Sequence, residues 1–423
     1  MTASSLTSFI RRGALALWFA SAVAASAAEP ATTYWSPSWI ASTQPIWSGD
    51  FVLPSGLPFQ FNRQTVRQVA RLSIGGTRLR VVISNEGGTS PLHVGAARVA
   101  RHAEGSAIVE GSDRQLRFGG QADVTVPPGA RLVSDPVDIA LPALGEVTVS
   151  LYLPRPSQPA GFHFDARQIA YVADGDLASA ARMPADASQW STRVYVSGLI
   201  VETPKPPATV VTLGDSLTDG NGSTPGANTR WPDALAERLA NRDIAVLNAG
   251  ISGGRLLKDG MGRAGLERAG RDVFAQPGVR AMVVLLGTND IGWPGGPFAP
   301  GEPAMRAEEL IQGFRQLIEL AHAHNVRIVA GTITPNEGAL RGTPLEGHYS
   351  PEKNKVRQAV NRWIRESGAF DAVVDFDALL RDQARPSRLK AAMDSGDHLH
   401  PGDAGYKAMA AAIDLQALFG TPH

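Results

Sequence analysis

Hydrophobic and polar positions change their period once along the chain, and the change divides it in two. From about Tyr34 to Glu202, apolar residues recur at every second position, as a strand with one buried face requires. Residues 65–74 and 77–84 are strand-forming runs joined by Gly75-Gly76, and such a pair predicts a β-hairpin. Further strands are predicted at 92–100, 115–118, 123–126, 147–153, 168–172 and 193–201, with glycine- and proline-rich turns between them. Many short strands with little helical periodicity predict an all-β sandwich, jelly-roll-like, over 29–202. Thr203-Pro-Lys-Pro-Pro207 then interrupts any sheet, because proline fixes φ and removes donors, so 203–208 reads as a stiff linker.

Beyond the linker, strands alternate with helices. Strands are predicted at 208–213, 244–247, 281–286, 326–333 and 372–374. Helices are predicted at 231–240, with Pro232 near the start, and at 306–324, 351–366 and 403–418. This alternation predicts a parallel sheet covered by helices on both faces, a three-layer α/β/α domain over 209–423.

Composition narrows the function. Lys+Arg and Asp+Glu both number 40, so no basic excess argues for nucleic acid or an anionic membrane surface. Arg11 and Arg12 precede an apolar run from Gly13 to Ala25 that closes on small residues. That layout predicts a cleavable secretory signal over 1–28 and a secreted or periplasmic protein, since the run is too short to span a membrane. No other apolar stretch is long enough for a membrane span. With no cysteine in the chain, disulfides, thiol nucleophiles and thiolate metal sites are excluded.

Four segments at the ends of predicted strands carry the candidate chemistry. Leu213-Gly-Asp-Ser-Leu-Thr-Asp-Gly220 leaves the first strand of the second half and puts Ser216 in the turn. Leu247-Asn-Ala-Gly-Ile-Ser-Gly-Gly254 and Leu286-Gly-Thr-Asn-Asp290 follow the next two strands. An acyl-transfer site needs donors for a developing oxyanion, and glycine N–H groups or the Asn289 amide are suited to that. Asp394-Ser-Gly-Asp-His-Leu-His-Pro401 opens the last helix. The spacing of Asp397 and His400 puts a carboxylate one turn from an imidazole, leaving Nε2 free to take a serine proton. His398, adjacent to Asp397, points elsewhere. A competing reading makes Asp394, Asp397, His398, His400 and Asp403 metal ligands, without a second histidine motif to support it.

In this order, Gly-Asp-Ser-Leu, a glycine, Gly-x-Asn-Asp and Asp-x-x-His-Pro resemble the SGNH (GDSL) hydrolase superfamily. The resemblance implies Ser216 as nucleophile, His400 as base, Asp397 as its orienting partner, and an oxyanion hole of Ser216 N–H, Gly253 N–H and the Asn289 amide. Gly250 and Gly254 flank Gly253 in the same segment. The segments Asp290-Ile-Gly292, Val356-Arg-Gln-Ala-Val-Asn361 and Phe370-Asp-Ala-Val-Val-Asp375 further resemble a secreted subgroup that carries a β-sandwich ahead of the hydrolase domain. The implied activity is carboxylic ester hydrolysis through an acyl-enzyme, with no metal or organic cofactor. The expected substrate is a small ester or acylated carbohydrate, with short-chain or acetyl groups, and the alternative is a lipase or arylesterase. A different class remains, a carbohydrate-binding module on a vestigial hydrolase fold. Tyr34, Trp35, Trp39 and Trp47 would then stack on sugars, whereas in an enzyme they would pack between the two halves. The loops 254–278, 292–303 and 336–349 are expected to wall the pocket, with Trp293, Phe298, His348 and Tyr349 as candidate substrate contacts.

Overall fold

In the first half, the alternating pattern becomes two large antiparallel sheets that share one core, beside a three-stranded and a two-stranded sheet. A computed structural model describes residues 1–2, 32–159 and 161–420, so the predicted signal at 1–28 lies outside the described residues except for its first two. One sheet runs Tyr34–Ile40, Val196–Thr203, Gly76–Ser84, Val137–Leu141, with Arg131–Val133 also on Gly76–Ser84. The other runs Ser188–Trp190, Ala170–Asp174, Gln64–Arg71, Glu146–Leu153, Ala96–Arg101, Arg114–Gln115. Leu79, Val81 and Ile83 from the first sheet meet Val147, Val149 and Leu151 from the second in a single buried cluster.

The predicted hairpin does not form. Gln64–Arg71 pairs with Glu146–Leu153 and Ala170–Asp174, while Gly76–Ser84 lies in the other sheet. Two-residue hairpin turns need positive φ at their first central residue or at both, and neither Gly75 nor Gly76 has it. Their small size serves a close approach instead. A Cβ on Gly75 would meet Ala143 N at 2.6 Å, and one on Gly76 would meet Glu202 O at 2.6 Å.

The second half builds a five-stranded parallel sheet. Thr209–Gly214 lies between Ala245–Gly250 and Val279–Leu285, and Arg327–Gly331 and Ala372–Val374 continue outward from the latter. Period-two alternation sends neighbouring residues to opposite layers. Val211, Met282 and Val284 face Leu310, Phe314 and Leu317 of the Ala307–Ala323 helix. Val210, Ala281 and Val283 face Trp231 and Leu235 of the Trp231–Leu239 helix, together with Met409 of Asp403–Ala412. Buried on both faces, the strands read as near-continuous apolar runs.

Helix ends follow local signals. Pro351–Glu366 begins where the Ser350 hydroxyl accepts the Lys353 N–H at 3.2 Å, with proline at the first helical position. The predicted final helix 403–418 is instead two, Asp403–Ala412 and Leu415–Phe419. Ile413 turns extended and Asp414 accepts the Gln416 N–H at 2.9 Å, so an aspartate inside the predicted helix is a cap.

Both halves belong to one compact unit, Thr33–His423. The Tyr34–Ile40 strand lies against Ala245–Gly250, and Arg71 reaches Glu237 at 2.9 Å. Trp47 is packed among Phe51, Phe162 and Phe164, and its Nε1 donates to Met261 O at 2.8 Å. Trp35 and Trp39 lie under the guanidinium groups of Arg80 and Arg193 at 4.5 and 4.6 Å. Among the described residues no helix is long and apolar enough to cross a membrane.

Candidate active site

Three adjacent strands of the parallel sheet deliver their C-terminal ends to one place. Thr209–Gly214 runs into Asp215 and the single helical turn Ser216–Asp219. Asp215 caps that turn by accepting the Leu217 N–H at 3.0 Å, and burial pushes its carboxyl up to about 8. The fully buried Arg268 ties two strand ends together. Its guanidinium donates to Gly214 O at 2.7 Å and Ala249 O at 2.6 Å, with Asp272 beside it at 3.0 Å. Asp290 accepts the N–H groups of Leu256 and Leu257 at 2.8 and 3.0 Å and so holds the loop that follows Gly254.

Ser216, His400 and Asp397 form a hydrogen-bonded line. Ser216 Oγ is 2.8 Å from His400 Nε2, and His400 Nδ1 is 2.6 Å from Asp397 Oδ2. A carboxylate only accepts, so Nδ1 carries the proton and Nε2 presents its lone pair to the serine hydroxyl. Asp397 Oδ1 accepts the N–H groups of Leu399 and His400 at 2.9 and 2.8 Å. Partial burial opposes ionisation of Asp397, but the hydrogen bonds from the His400 ring and from the His400 and Leu399 N–H groups outweigh it and hold the carboxyl well below the usual range. His398 pairs instead with Asp394 at 2.5 Å, and Asp403 accepts from Thr224 and Thr229. Among the described residues, no group of three or more His, Asp and Glu is arranged to hold a metal ion.

Beside this line lie groups suited to an oxyanion. Within the 250–254 loop, Gly250 N–H donates to Asn248 Oδ1 and Gly254 N–H to Ile251 O, both at 2.8 Å. Gly253 N–H has no acceptor among the described residues. Gly253 has φ +72°, and a Cβ there would also strike Met261 and lie 2.9 Å from Trp293. Asn289 is 3 % exposed. One of its amide hydrogens reaches Gly254 O at 3.0 Å, and the other has no partner among the described residues.

The amide is oriented from behind. His348 Nε2 donates to Asn289 Oδ1 at 3.2 Å, and His348 Nδ1 accepts from Asn336 Nδ2 at the same distance. Burial, reinforced by the nearby Lys353 and His400, pushes the His348 pKa down to about 3, so the ring stays neutral. Both of its nitrogens are engaged, and none is left for a polar group of a substrate.

The sequence model of the GDSL-like Lipase/Acylhydrolase family matches residues 212–408. The C-terminal half is a GDSL-like lipase/acylhydrolase domain. Solved structures similar to it include a GDSL-like lipase from Bacteroides thetaiotaomicron, 20 % identical over 48 % of this chain and 84 % of its own, with a TM-score of 0.35. Another is TesA, 22 % identical over 48 % of this chain and 94 % of its own, also with a TM-score of 0.35. No curated protein matches the chain significantly. The match over residues 212–408 implies a hydrolase.

The GDSL-like domain does not enclose its cavity alone. A space of about 150 Å³ opens beside Ser216, Asn289 and His400. Met261, Trp293, Phe298, Leu340, Leu345 and His348 line it from the three loops expected to do so. Tyr349 is half-buried and lies outside it, because His348 turns inward and the chain enters the Pro351 helix directly afterwards. Leu53 and Phe164 line the cavity from the β-rich half, and no periodicity or motif in the sequence marks them. Gln44 from the same half holds Met261 O at 2.8 Å.

Proposed function

We propose that this protein is a secreted serine esterase that hydrolyses small carboxylic esters through an acyl-enzyme. The observation that carries the reading is the continuous line Ser216 Oγ, His400 Nε2, His400 Nδ1, Asp397 Oδ2, with links of 2.8 and 2.6 Å. His400 takes the hydroxyl proton as Ser216 attacks the ester carbonyl, and Asp397 stabilises the imidazolium that forms. The carbonyl oxygen gains charge within reach of Ser216 N–H, Gly253 N–H and the free Asn289 amide hydrogen. His400 then returns its proton to the leaving alcohol. Water repeats the sequence on the acyl-enzyme and regenerates the serine.

The cavity bears on the substrate. Its volume of about 150 Å³ is near that of a cavity that holds one benzene ring. Apart from the reacting groups its walls are largely apolar, so it suits a short acyl chain or a single ring better than a sugar. A sugar acyl ester fits with the acyl group inside and the sugar beyond the rim. The signal-like pattern before residue 29 supports export.

The test is hydrolysis of p-nitrophenyl esters from acetate to octanoate by the wild type and by Ser216→Ala. The wild type should favour the short chains, and Ser216→Ala should lose activity on all of them while unfolding at the same temperature. Retained activity in that variant would falsify the assignment.

A further inference from the structure

The helical turn after Ser216 ends at Asp219, whose carboxylate takes no part in the steps above. It is 1 % exposed. Asp219 Oδ2 accepts both the backbone N–H and the hydroxyl of Ser252, at 3.0 and 2.9 Å. Asp219 Oδ1 lies 2.8 Å from His163 Nε2. His163 ends the Gly161–His163 strand of the β-rich half, and its Nδ1 lies 2.9 Å from Ser42 O. A carbonyl and a carboxylate both accept, so hydrogen on both ring nitrogens satisfies every partner, and the ring is an imidazolium paired with Asp219. Burial opposes that charge, but Asp219 outweighs it and raises the ring's pKa above its ordinary value.

Ser252 directly precedes Gly253. Four N–H groups of this loop are tied down: Gly250 to Asn248, Ile251 to Gly214, Ser252 to Asp219, and Gly254 to Ile251. The peptide carrying Gly253 N–H is thus aimed by its neighbours, and the Ser252 anchor is the one that leads out of the hydrolase domain. We propose that His163 is a positioning residue for the ester hydrolysis. Through Asp219 and Ser252 it fixes the direction of Gly253 N–H, so the β-rich half completes the oxyanion hole. This rests on the serine-esterase reading above. Without His163, a buried carboxylate loses its cationic partner and must take a proton or turn away. Either change loosens its hold on Ser252. The loss falls on the transition state, because neither His163 nor Asp219 lines the acyl cavity and the oxyanion forms only in that state.

The experiment compares wild type, His163→Gln, Ser252→Ala and the double variant, all as full chains. It reads kcat and KM on p-nitrophenyl butyrate, the Ki of a butyl trifluoromethyl ketone, and the unfolding temperature. Misaiming one donor predicts a kcat loss of about 10- to 100-fold in His163→Gln, with KM within about twofold. The ketone, which forms a bound oxyanion, should weaken in proportion to kcat/KM. Ser252→Ala should add less than about twofold to the loss already caused by His163→Gln, because both act through one contact. A folded His163→Gln with kcat within threefold of wild type, a loss expressed in KM, or losses that multiply in the double variant would overturn the inference. If His163→Gln does not fold, Asp219→Asn is read by the same criteria. A wild type without esterase activity, or one indifferent to Ser216→Ala, overturns the esterase reading and this inference with it. An active wild type with an unimpaired His163→Gln overturns this inference alone.

Discussion

Replacing His348 with leucine separates two consequences of one buried ring. The first is mechanical. Leucine removes the donor to Asn289 Oδ1 and the acceptor of Asn336 Nδ2, leaving two buried amide atoms unpartnered at about 1–3 kcal/mol each. Asn289 is then free to rotate its amide away from the cavity. Complete loss of such a donor costs on the order of 10²–10³ in kcat, so a partly misoriented amide should cost about tenfold or more. The second consequence is a pH dependence. The unfolded imidazole binds a proton below its ordinary pKa of 6.5, whereas the folded ring stays neutral down to about 3. Unfolding therefore takes up a proton in that window, and the contribution to stability is whole above 6.5 and is lost as the pH falls. The slope is about 1.4 kcal/mol per unit, which amounts to about 2 kcal/mol between pH 6.5 and 5. Urea unfolding of wild type and His348→Leu at pH 7, 6 and 5 measures it, with the stability gap narrowing by that amount. His348→Gln, which keeps a donor and cannot titrate, should recover much of the kcat and share the flat pH response of the leucine variant. A gap that is constant from pH 7 to 5, with kcat unchanged in His348→Leu, would refute both parts of the reasoning.

Three other substitutions probe separate parts of the site. Asp397→Asn keeps the shape but turns an acceptor into a donor toward His400 Nδ1, and kcat should fall by on the order of 10³–10⁴ with little change in KM. Gly253→Ala meets Met261 and Trp293 and forces a side chain onto φ +72°, so stopped-assay turnover should drop at least tenfold while short esters still bind as competitive inhibitors. Phe164→Ala opens the cavity wall supplied by the β-rich half, and the ratio of kcat/KM for octanoate to that for acetate should rise several-fold; an unchanged ratio would remove Phe164 from the acyl wall.

The strand and helix order of the second half was legible because each element carries a local signal. Pro351–Glu366 has its serine cap, its first-turn proline and one apolar stripe, and its predicted bounds match those observed. Near-continuous apolar runs such as Val279–Leu285 mark strands covered on both faces. The hairpin expected at Gly75-Gly76 failed because both glycines answer to a backbone far away in sequence, at Ala143 and Glu202. Asp414 was misread for a related reason: a residue that can cap or continue a helix is decided by packing around it. Motifs brought Ser216, Asn289, Asp397 and His400 to notice, whereas Arg268 and His163, which help to aim them, were silent, and His348 was expected to touch substrate rather than to hold Asn289. Arg268 bridges Gly214 and Ala249, His348 backs Asn289 from 59 residues away, and His163 reaches Asp219 across 56. None of these pairs has a spacing or a pattern of its own, because each is made only when the chain has folded. Leu53 and Phe164 are ordinary apolar residues until the β-rich half is set against the cavity.

In the proposed mechanism Ser216 is a nucleophile activated by His400. Treatment of the wild-type protein with a fluorophosphonate, followed by proteolysis and mass spectrometry, tests it directly. One adduct should form, on the peptide containing Ser216, absent from Ser216→Ala and formed at least about 10²-fold more slowly by His400→Ala. An adduct on another residue, or a wild type that hydrolyses esters yet never labels at Ser216, would contradict it.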